Sequence, residues 1–291
     1  MKIFLVGGTG FIGTNFLKII INDDHFDEII VCMNKRRPAV SSPKIKIHSP
    51  CRIDNITTLK IDDNIDYIID FAGIIKETRD KKFDKVHYVG VKNLLEIAHK
   101  TGARGFVYIS AAGVNDMRDE AYMKTKWLAE EEIRKSGLEY LILRPSIVLG
   151  PDGDFTKMLK LMFRLSPFIP VIGDGNYKIQ PVFVGDLAEI VRRGILQGIK
   201  GTFGTCGPNA VTYKEFLTMI KEQFNVRRPF IHIPVKLVSI LAWLGGTYSP
   251  VTRDQLKMLL SGSTCEDNKI YTLTSFSPKN LEETIRISFA S

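Results

Sequence analysis

Hydrophobic residues in the first half of the chain form short runs that alternate with segments of helical spacing. The runs IFLV (3–6), EIIVCM (28–33) and GFVYIS (105–110) are apolar at consecutive positions, as in strands that helices cover on both faces. Between such runs, VHYVGVKNLLEIAHKTG (86–102) and EAYMKTKWLAEEEIRKSG (120–137) have helical spacing and end at a glycine. Strands that alternate with helices predict an α/β fold built on a doubly wound parallel sheet. The other strands that we predict are KIKIH (44–48), DYIIDFAG (66–73) and EYLILRP (139–145).

The pattern changes after about Gly150, where prolines divide the chain into shorter elements. These prolines are Pro151, Pro167, Pro170, Pro181, Pro208, Pro229 and Pro234. A length of 291 residues suits roughly two domains. We therefore expect a first domain over residues 1–150 and a smaller C-terminal lobe over residues 151–291, interwoven with the first.

The most apolar stretch of the second half is VKLVSILAWLGG (235–246). It is too short to span a bilayer, and we expect its helix to be buried. Exposure toward a hydrophobic partner or a membrane is the alternative interpretation.

The turn after the first apolar run, VGGTGFIG (6–13), has the glycine spacing of a dinucleotide-binding turn. Gly7 permits the tight turn, Gly10 lets a pyrophosphate approach the backbone, and Gly13 lets the following helix pack against the sheet. A turn with only a structural role is the alternative. The strand before the turn and the helix after it favour the nucleotide site. Its residues would be Gly7, Thr9, Gly10, Phe11, Ile12 and Gly13.

The end of the second predicted strand bears on which nucleotide binds. A carboxylate there would bind a ribose 2′-hydroxyl, but this chain has Asn34, followed by Lys35, Arg36 and Arg37. A guanidinium can hold a 2′-phosphate with paired hydrogen bonds, whereas an acid would repel it. These residues favour NADP over NAD, and a solvated basic loop is the alternative.

Tyr122 and Lys126 form a candidate proton-transfer pair. Their spacing of four residues puts them on one face of a predicted helix. A phenol has a pKa near 10, and a neighbouring cation favours its ionised form. The lysine could also hold the nicotinamide ribose. A chance spacing along one helical turn is the alternative, and the position of the pair after a glycine turn, a strand and a helix argues against it.

Five motifs resemble, in this order, those of the short-chain dehydrogenase/reductase superfamily. They are GGTGFIG (7–13), DFAG (70–73), YISAAGV (108–114), YMKTK (122–126) and LRPSIVLGP (143–151). Three further segments, AGIIKET (72–78), residues 86–114 and IQPVFVGDLAEIV (179–191), are similar to an atypical branch of the superfamily. That branch contains the 39-kDa accessory subunit of respiratory complex I and bacterial NAD(P)-binding, epimerase-like relatives. The resemblance covers the chain from Met1 to about Leu260.

The resemblance implies a Rossmann domain over residues 1–150, with the nucleotide at the strand ends and the smaller lobe on the substrate side. Tyr122 would be the acid/base, Lys126 its electrostatic support, and Ser110 a residue that orients the substrate. Further nucleotide contacts would come from Phe71, Ala72, Gly73, Pro145 and Ile147.

The chain departs from this family pattern at two positions. Ala111 occupies the usual place of the serine or threonine that orients the substrate oxygen, and Ser110 lies about one position early. His87 stands where an asparagine is common in the central helix, and we expect it either to line the site or to pack. The loop from Ser110 to Tyr122 is also short for an enzyme that acts on a sugar nucleotide.

Three functions are therefore compatible with the sequence. The first is an NAD(P)-dependent oxidoreductase that moves a hydride between nicotinamide and a carbonyl or alcohol of an unidentified small molecule. The second is a structural or assembly subunit that its nucleotide stabilises without turnover, which Ala111 favours. The third is a sugar-nucleotide epimerase or dehydratase, against which Asn34 and the basic residues after it argue.

Charge adds a preference for anionic partners. The formal net charge is +8 and the pI about 9.2, which suits a phosphorylated ligand or an anionic surface. We do not expect nucleic-acid binding, because no recognition motif accompanies the charge. The oligomeric state stays open.

The four cysteines, Cys32, Cys51, Cys206 and Cys265, are far apart and form no CxxC pair. We therefore expect neither a zinc site nor disulfides, and a reducing compartment follows as the simpler interpretation. The apolar run at the N-terminus is too short for a signal peptide. These features predict a cytoplasmic protein, with a location peripheral to a membrane complex as the alternative.

Overall fold

A computed structural model describes residues 1–34, 36–56, 61, 64–245 and 252–290. Its main feature is a parallel sheet with the strand order β11-β6-β5-β4-β1-β2-β3. The strands of this sheet are β1 (Lys2–Val6), β2 (Glu28–Cys32), β3 (Ile45–His48), β4 (Tyr67–Asp70), β5 (Gly105–Ile109), β6 (Glu139–Pro145) and β11 (Gly201–Thr205). The predicted α/β fold with a doubly wound parallel sheet is confirmed.

Helices and short strand pairs complete the fold. The helices are α1 (Phe11–Ile20), α2 (Gly90–Thr101), α3 (Ala121–Lys135), α4 (Asp154–Leu165), α5 (Val184–Leu196), α6 (Tyr213–Gln223), α7 (Val235–Gly245), α8 (Arg253–Leu260), α9 (Lys269–Leu273) and α10 (Leu281–Ser288). A 3₁₀ turn (Ile53–Asn55) and a π-helical segment (Asp84–Val89) precede α2. The short strands are β7 (Val148–Leu149), β8 (Ile169–Ile172), β9 (Lys178–Ile179), β10 (Val182–Phe183), β12 (Val211–Thr212) and β13 (Phe230–Ile233).

Helices cover the sheet on both faces, which explains why its strands are apolar at consecutive positions. In β1, Ile3 and Leu5 belong to a core with residues of α1 and α5, whereas Phe4 and Val6 belong to a core with residues of α2 and α3. A third core fills the C-terminal lobe between α4, α6 and α10, with Phe163 and Phe216 among its fully buried members. Alternate side chains of one strand are therefore buried in different layers.

The second half of the chain returns to the first layer. After the start of the C-terminal lobe, α5 packs along α1, and β11 pairs with β6 at the edge of the main sheet. Residues 184–205 thus complete the main sheet and its helical cover, although they follow residue 150 in the chain. The predicted domain boundary near residue 150 stays a prediction.

The predicted burial of the apolar helix is wrong. In α7, Ala242 is buried, but Leu237, Ile240, Leu241, Trp243 and Leu244 are exposed. Hydrophobicity alone does not show how many sides of a helix the fold can cover. No helix among the described residues is both long and apolar enough to cross a membrane.

The predicted absence of disulfides is also wrong, because Cys32 is paired with Cys51 and Cys206 with Cys265. The parallel pairing of β2 with β3 places Cys32 opposite His48, and the backbone N–H of Cys51 donates to the carbonyl of Met33 at 2.9 Å. Sequence spacing cannot reveal a pairing that the sheet register creates.

We predict that both disulfides stabilise the fold. Loop closure over sequence separations of 19 and 59 residues corresponds to about 3 and about 4 kcal/mol, respectively. Replacing Cys32 and Cys51, or Cys206 and Cys265, by alanine should lower the free energy of unfolding by amounts of this order, measured by urea denaturation. Thiol titration of the unreduced, denatured protein should find no free thiols, and four would contradict the pairing.

Candidate nucleotide-binding and catalytic site

The glycine turn between β1 and α1 is as compact as its sequence predicts. Gly7 has a φ of +75°, and a Cβ there would lie 2.6 Å from the carbonyl carbon of Phe71. A Cβ on Gly13 would lie 2.2 Å from the carbonyl oxygen of Gly7. Within the part of the chain that the structure describes, a Cβ on Gly10 would meet only that same oxygen within 4 Å, at 3.1 Å, so the outer side of Gly10 has room for a ligand. The close backbone contacts therefore exclude any side chain at Gly7 and Gly13. At Gly10, where a pyrophosphate would lie, the space is open.

The start of α1 suits an anion. Its N-cap residue is Gly10, which offers no side-chain cap, and its first turn contains no acidic residue. The predicted contacts Phe11 and Ile12 are the first two residues of this helix, and Thr9 directly precedes Gly10. Backbone N–H groups and the positive end of the helix dipole are therefore available to phosphate oxygens.

The turn lies where the strand order of the sheet reverses. Since β1 lies between β4 and β2, a crevice is expected at its carboxyl end. The backbone N–H of Phe71 donates to the carbonyl of Val6 at 3.0 Å, so the DFAG segment directly adjoins the turn. Phe71 contacts the Phe16 ring edge-on, Ala72 is half-buried and Gly73 is exposed.

The loop after β2 begins beside the same turn, because Cys32 is the register partner of Val6. Asn34, Arg36 and Arg37 are exposed there. Lys35 lies outside the described residues. The two described guanidinium groups are therefore accessible to a ligand, whether or not one binds.

The predicted nucleotide contacts Pro145 and Ile147 lie at or just beyond the end of β6, which hydrogen bonds join to neighbouring segments. The carbonyl of Pro145 accepts from the N–H of Ala112 at 2.8 Å, and that of Ile147 accepts from Val182 at 3.0 Å. Pro145 is buried and Ile147 half-buried. The first bond holds the LRPSIVLGP segment against the loop that follows Ser110, and the second holds it against β10.

Lys126 reaches from α3 toward the end of β4. Its ammonium donates to the carbonyl of Ile109 at 2.7 Å and lies 4.5 Å from the centre of the Tyr108 ring. A Cβ on Gly73 would be 3.8 Å from this ammonium. Burial lowers the pKa of Lys126 to about 8, while the carboxylate of Asp70 opposes that shift. Lys126 thus links the helix to the segment beside the glycine turn.

Asp70 is a site residue that the sequence analysis quoted within DFAG but did not single out. It is fully buried, and its Oδ1 accepts from the N–H of Ala72 at 2.8 Å. Its Oδ2 has no hydrogen-bond partner among the described residues. Burial raises the pKa of the Asp70 carboxyl, and the Lys126 cation opposes that shift. The signal in the sequence that could have identified Asp70 was a carboxylate at the end of an otherwise apolar strand.

His87 is a neutral structural residue beside the site. Its Nε2 accepts from the N–H of Ile74 at 3.2 Å, so Nδ1 carries the proton and donates to Thr125 Oγ1 at 3.1 Å. Burial, with a further contribution from Lys126, holds the pKa of His87 far below its usual range. The ring stacks on Phe83 and contacts Tyr122 edge-on at 5.3 Å. His87 therefore supports Tyr122 from one side.

Tyr122 faces a small apolar cluster. The members that pack with it include Phe83, Val114, Ala111 and Met258. Burial raises the pKa of Tyr122 to about 12, which is opposite to the shift predicted from a neighbouring cation. The Lys126 ammonium binds the carbonyl of Ile109, lies over the Tyr108 ring and interacts with Asp70, so burial rather than a neighbouring cation determines the shift of Tyr122. At neutral pH the phenol is protonated and can donate, but it is not a ready base.

Ser110 directly follows β5, between Ile109, which binds Lys126, and Ala111, which packs against the cluster around Tyr122. Its side chain is buried, and its Oγ has no hydrogen-bond partner among the described residues. A buried hydroxyl without a partner is costly. Ser110 thus has an unused donor and acceptor in the segment that joins the Lys126 contact at Ile109 to the cluster around Tyr122.

Two curated relatives are similar to this chain over part of their length. The chain is 23% identical to the mitochondrial NADH dehydrogenase (ubiquinone) 1 alpha subcomplex subunit 9 of Arabidopsis thaliana over 179 residues, 60% of this chain and 44% of that protein. It is 23% identical to a ceramide reductase of Caulobacter vibrioides over 189 residues, 63% of this chain and 57% of that protein. The chain therefore spans about half the length of these relatives.

Solved structures share the fold over the whole chain. A human epimerase family protein solved with NADPH has a TM-score of 0.75 at 19% identity and covers 99% of both chains. An enzyme of Bordetella bronchiseptica solved with NAD⁺ has a TM-score of 0.73 at 17% identity and covers 99% of this chain and 97% of its own.

The family comparison covers more of the chain than either curated relative. The model of the NAD dependent epimerase/dehydratase family matches residues 3–202, from the first strand of the sheet into the last. The matched residues include the glycine turn, the DFAG segment and the helix that carries Tyr122 and Lys126. The protein is thus a member of the NAD dependent epimerase/dehydratase family, an NAD(P)-binding group of short-chain dehydrogenase/reductase proteins.

Proposed function

We propose that the protein is an NADPH-dependent reductase that converts a carbonyl group of a small molecule to an alcohol, with Tyr122 as the proton donor. The observation that carries this proposal is the protonated, buried Tyr122 phenol on the same helix as Lys126, whose ammonium lies beside Gly73. Catalysis and nucleotide binding would then meet on α3.

The residues present fit a dinucleotide. The glycine turn and the start of α1 would hold the pyrophosphate, and Arg36 and Arg37 the 2′-phosphate. Lys126 would hold the nicotinamide ribose, because its ammonium lies between the end of β5 and Gly73. A reduced nicotinamide supplies a hydride when it is bound. The relative named as a ceramide reductase supports this class of reaction.

Tyr122 would donate its phenolic proton to the substrate oxygen, on which negative charge develops as its carbonyl carbon is reduced. A phenol of ordinary pKa already carries its proton at neutral pH, and the burial that raises the pKa of Tyr122 leaves it protonated. Ser110 would donate to the same oxygen, since its hydroxyl is buried without a partner and adjoins Ala111 at the cluster around Tyr122. His87 and Phe83 would keep the phenol oriented through their ring contacts.

A nucleotide-stabilised structural subunit is the second candidate, and Ala111 favours it. A methyl group cannot donate the hydrogen bond that the usual serine or threonine supplies, and Ala111 packs into the apolar cluster instead. The similarity to a subunit named for NADH dehydrogenase is in keeping with this role. An epimerase or dehydratase is less well supported, because Asn34 and the exposed arginines do not suit NAD.

We predict that Tyr122→Phe lowers kcat/KM for carbonyl reduction by about 10²–10⁴-fold, the usual contribution of a general acid. The ring is retained, so NADPH affinity should change little. The assay follows NADPH absorbance with a panel of aliphatic and cyclic ketones. Tyr140→Phe is the matched control, because Tyr140 lies near the amino end of β6 and should not affect turnover.

Undiminished turnover in Tyr122→Phe would refute the proton-donor role. If no ketone or aldehyde is reduced, but removal of nucleotide lowers the thermal unfolding temperature, the result supports the structural-subunit function instead. Ala111→Ser separates the cases further: an added hydroxyl should raise a trace activity of a weakened reductase and do nothing in a purely structural protein.

We predict that the protein binds NADPH at least about tenfold more tightly than NADH. Each charged hydrogen bond to the 2′-phosphate contributes on the order of 1.5–3 kcal/mol. Replacing Arg36 and Arg37 together by alanine should therefore weaken NADPH binding and leave NADH binding unchanged, measured by calorimetric titration. Arg286→Ala, an exposed arginine on α10, is the control. Equal affinities of the parent for both nucleotides would contradict this specificity.

We predict that NADPH affinity decreases as pH rises through about 8, the pKa to which burial lowers Lys126. The cationic form would hold the ribose and attract the anionic nucleotide, and its fraction falls about tenfold for each pH unit above the pKa. Lys126→Met should bind more weakly and lose this pH dependence, whereas Lys124→Met, on the exposed side of α3, should keep it. A parent profile that stays flat from neutral pH to about two units above the pKa would contradict a role for this cation in binding.

A further inference from the structure

The helix α7 carries an apolar stripe on its solvent side. Leu237, Ile240, Leu241 and Leu244 follow the spacing i, i+3, i+4, i+7 and are all exposed. Trp243, 64% exposed, adjoins this stripe. We call these five residues the α7 face. Amphipathic helices of a water-exposed fold normally present the opposite arrangement, with polar residues outward.

A second apolar stripe lies on α4. Met158, Leu161 and Leu165 are exposed on that helix. The two regions are joined structurally, because β8 follows α4 and pairs in parallel with β13, which leads into α7. The guanidinium of Arg228 also donates to the carbonyl of Arg164 at the end of α4. The exposed apolar residues thus belong to one subregion of the C-terminal lobe.

Two segments of this subregion carry basic residues but no acidic ones, although Asp154 and Asp174 flank the first of them. Residues 155–173 and 226–245 contain no aspartate or glutamate. Four basic side chains in these segments are exposed: Lys157, Arg164, Arg227 and Lys236. Aliphatic residues with an exposed tryptophan and neighbouring cations are the composition of helices that lie in the interface of anionic membranes.

We propose that the α7 face binds the surface of an anionic phospholipid bilayer, with α7 in the plane of the interface. The aliphatic side chains would enter the boundary of the acyl chains, Trp243 would lie at the level of the headgroups, and Lys236 and Arg227 would contact the lipid phosphates. At 11 residues, α7 is about 16 Å long and cannot span the bilayer.

A second copy of the chain is a poorer occupant. In a twofold dimer the same surface faces itself, so that contact would bring two sets of these basic residues together without acidic partners from residues 226–245. Anionic headgroups neutralise the same charges. The charge of the segments therefore favours a lipid surface over self-association.

The test uses the full chain and vesicles of phosphatidylcholine with or without phosphatidylglycerol. The chain has two tryptophans, so a Trp127→Phe background reports on Trp243 alone. We expect co-sedimentation with the anionic vesicles and a blue shift of Trp243 emission. Added salt should weaken both, and neutral vesicles should give neither.

Variants assign the binding to the α7 face. Leu241→Glu with Leu244→Glu should reduce partitioning to anionic vesicles by about tenfold or more, because carboxylates oppose both insertion and lipid charge. Arg227→Gln with Lys236→Gln keeps the apolar stripe and should weaken binding to the same vesicles. Leu273→Glu, at an exposed leucine on α9, is the matched control and should bind like the parent. Thermal unfolding and NADPH titration verify that each variant is folded.

Three results would overturn the proposal. They are a parent that does not sediment with anionic vesicles, equal binding of the double glutamate variant, and equal binding to neutral vesicles. A dimer in light scattering that the double glutamate substitution dissociates would assign the face to a second copy instead.

Discussion

The close backbone approach at the glycine turn is the constraint on which the rest of the site depends. Gly7 lies against the backbone of Phe71, and Gly13 lies against the carbonyl of Gly7, at separations that would exclude a Cβ at either glycine. These contacts bring the ends of β1 and β4 and the start of α1 together. Apart from Lys126, the predicted nucleotide contacts that the structure describes lie at the ends of β1, β2, β4 and β6, and parallel strands end at the same edge of a sheet.

Electrostatics links this point to the candidate catalytic helix. Lys126 and Asp70 are both buried, and each opposes the shift that burial imposes on the pKa of the other. The pair connects α3 to the end of β4 without involving the Tyr122 phenol. The proposed nucleotide contact of Lys126 and the proposed proton donor Tyr122 are therefore separable in this fold, although they share one helix.

The sequence predicted the elements well where one pattern determines one structure. Consecutive apolar positions indicated strands between two helical layers, and the glycine spacing indicated the turn, because backbone sterics leave few residues that fit there. Predictions failed where the answer depends on distant segments. The pairing of Cys32 with Cys51 follows from the register of β2 and β3, and the exposure of α7 follows from how much of its surface the lobe covers.

The prediction of the pKa shift of Tyr122 was wrong for a related reason. A spacing of four residues puts two side chains on one helical face, but it does not determine the direction of a long lysine side chain. Here the ammonium donates to the carbonyl of Ile109 and interacts with the carboxylate of Asp70, and it is burial that shifts the phenol's pKa.

The separation between the candidate nucleotide-binding residues and Tyr122 also bears on whether the protein is a reductase or a structural subunit. The glycine turn, the start of α1 and Lys126 suit a nucleotide whether or not Ala111 can help a substrate. A loss of catalysis at the end of β5 would leave the binding elements intact, since they belong to other segments of the sheet edge. The same fold can therefore hold a nucleotide as a substrate or as structural support. The few side chains around Tyr122 determine which of these two roles the nucleotide has.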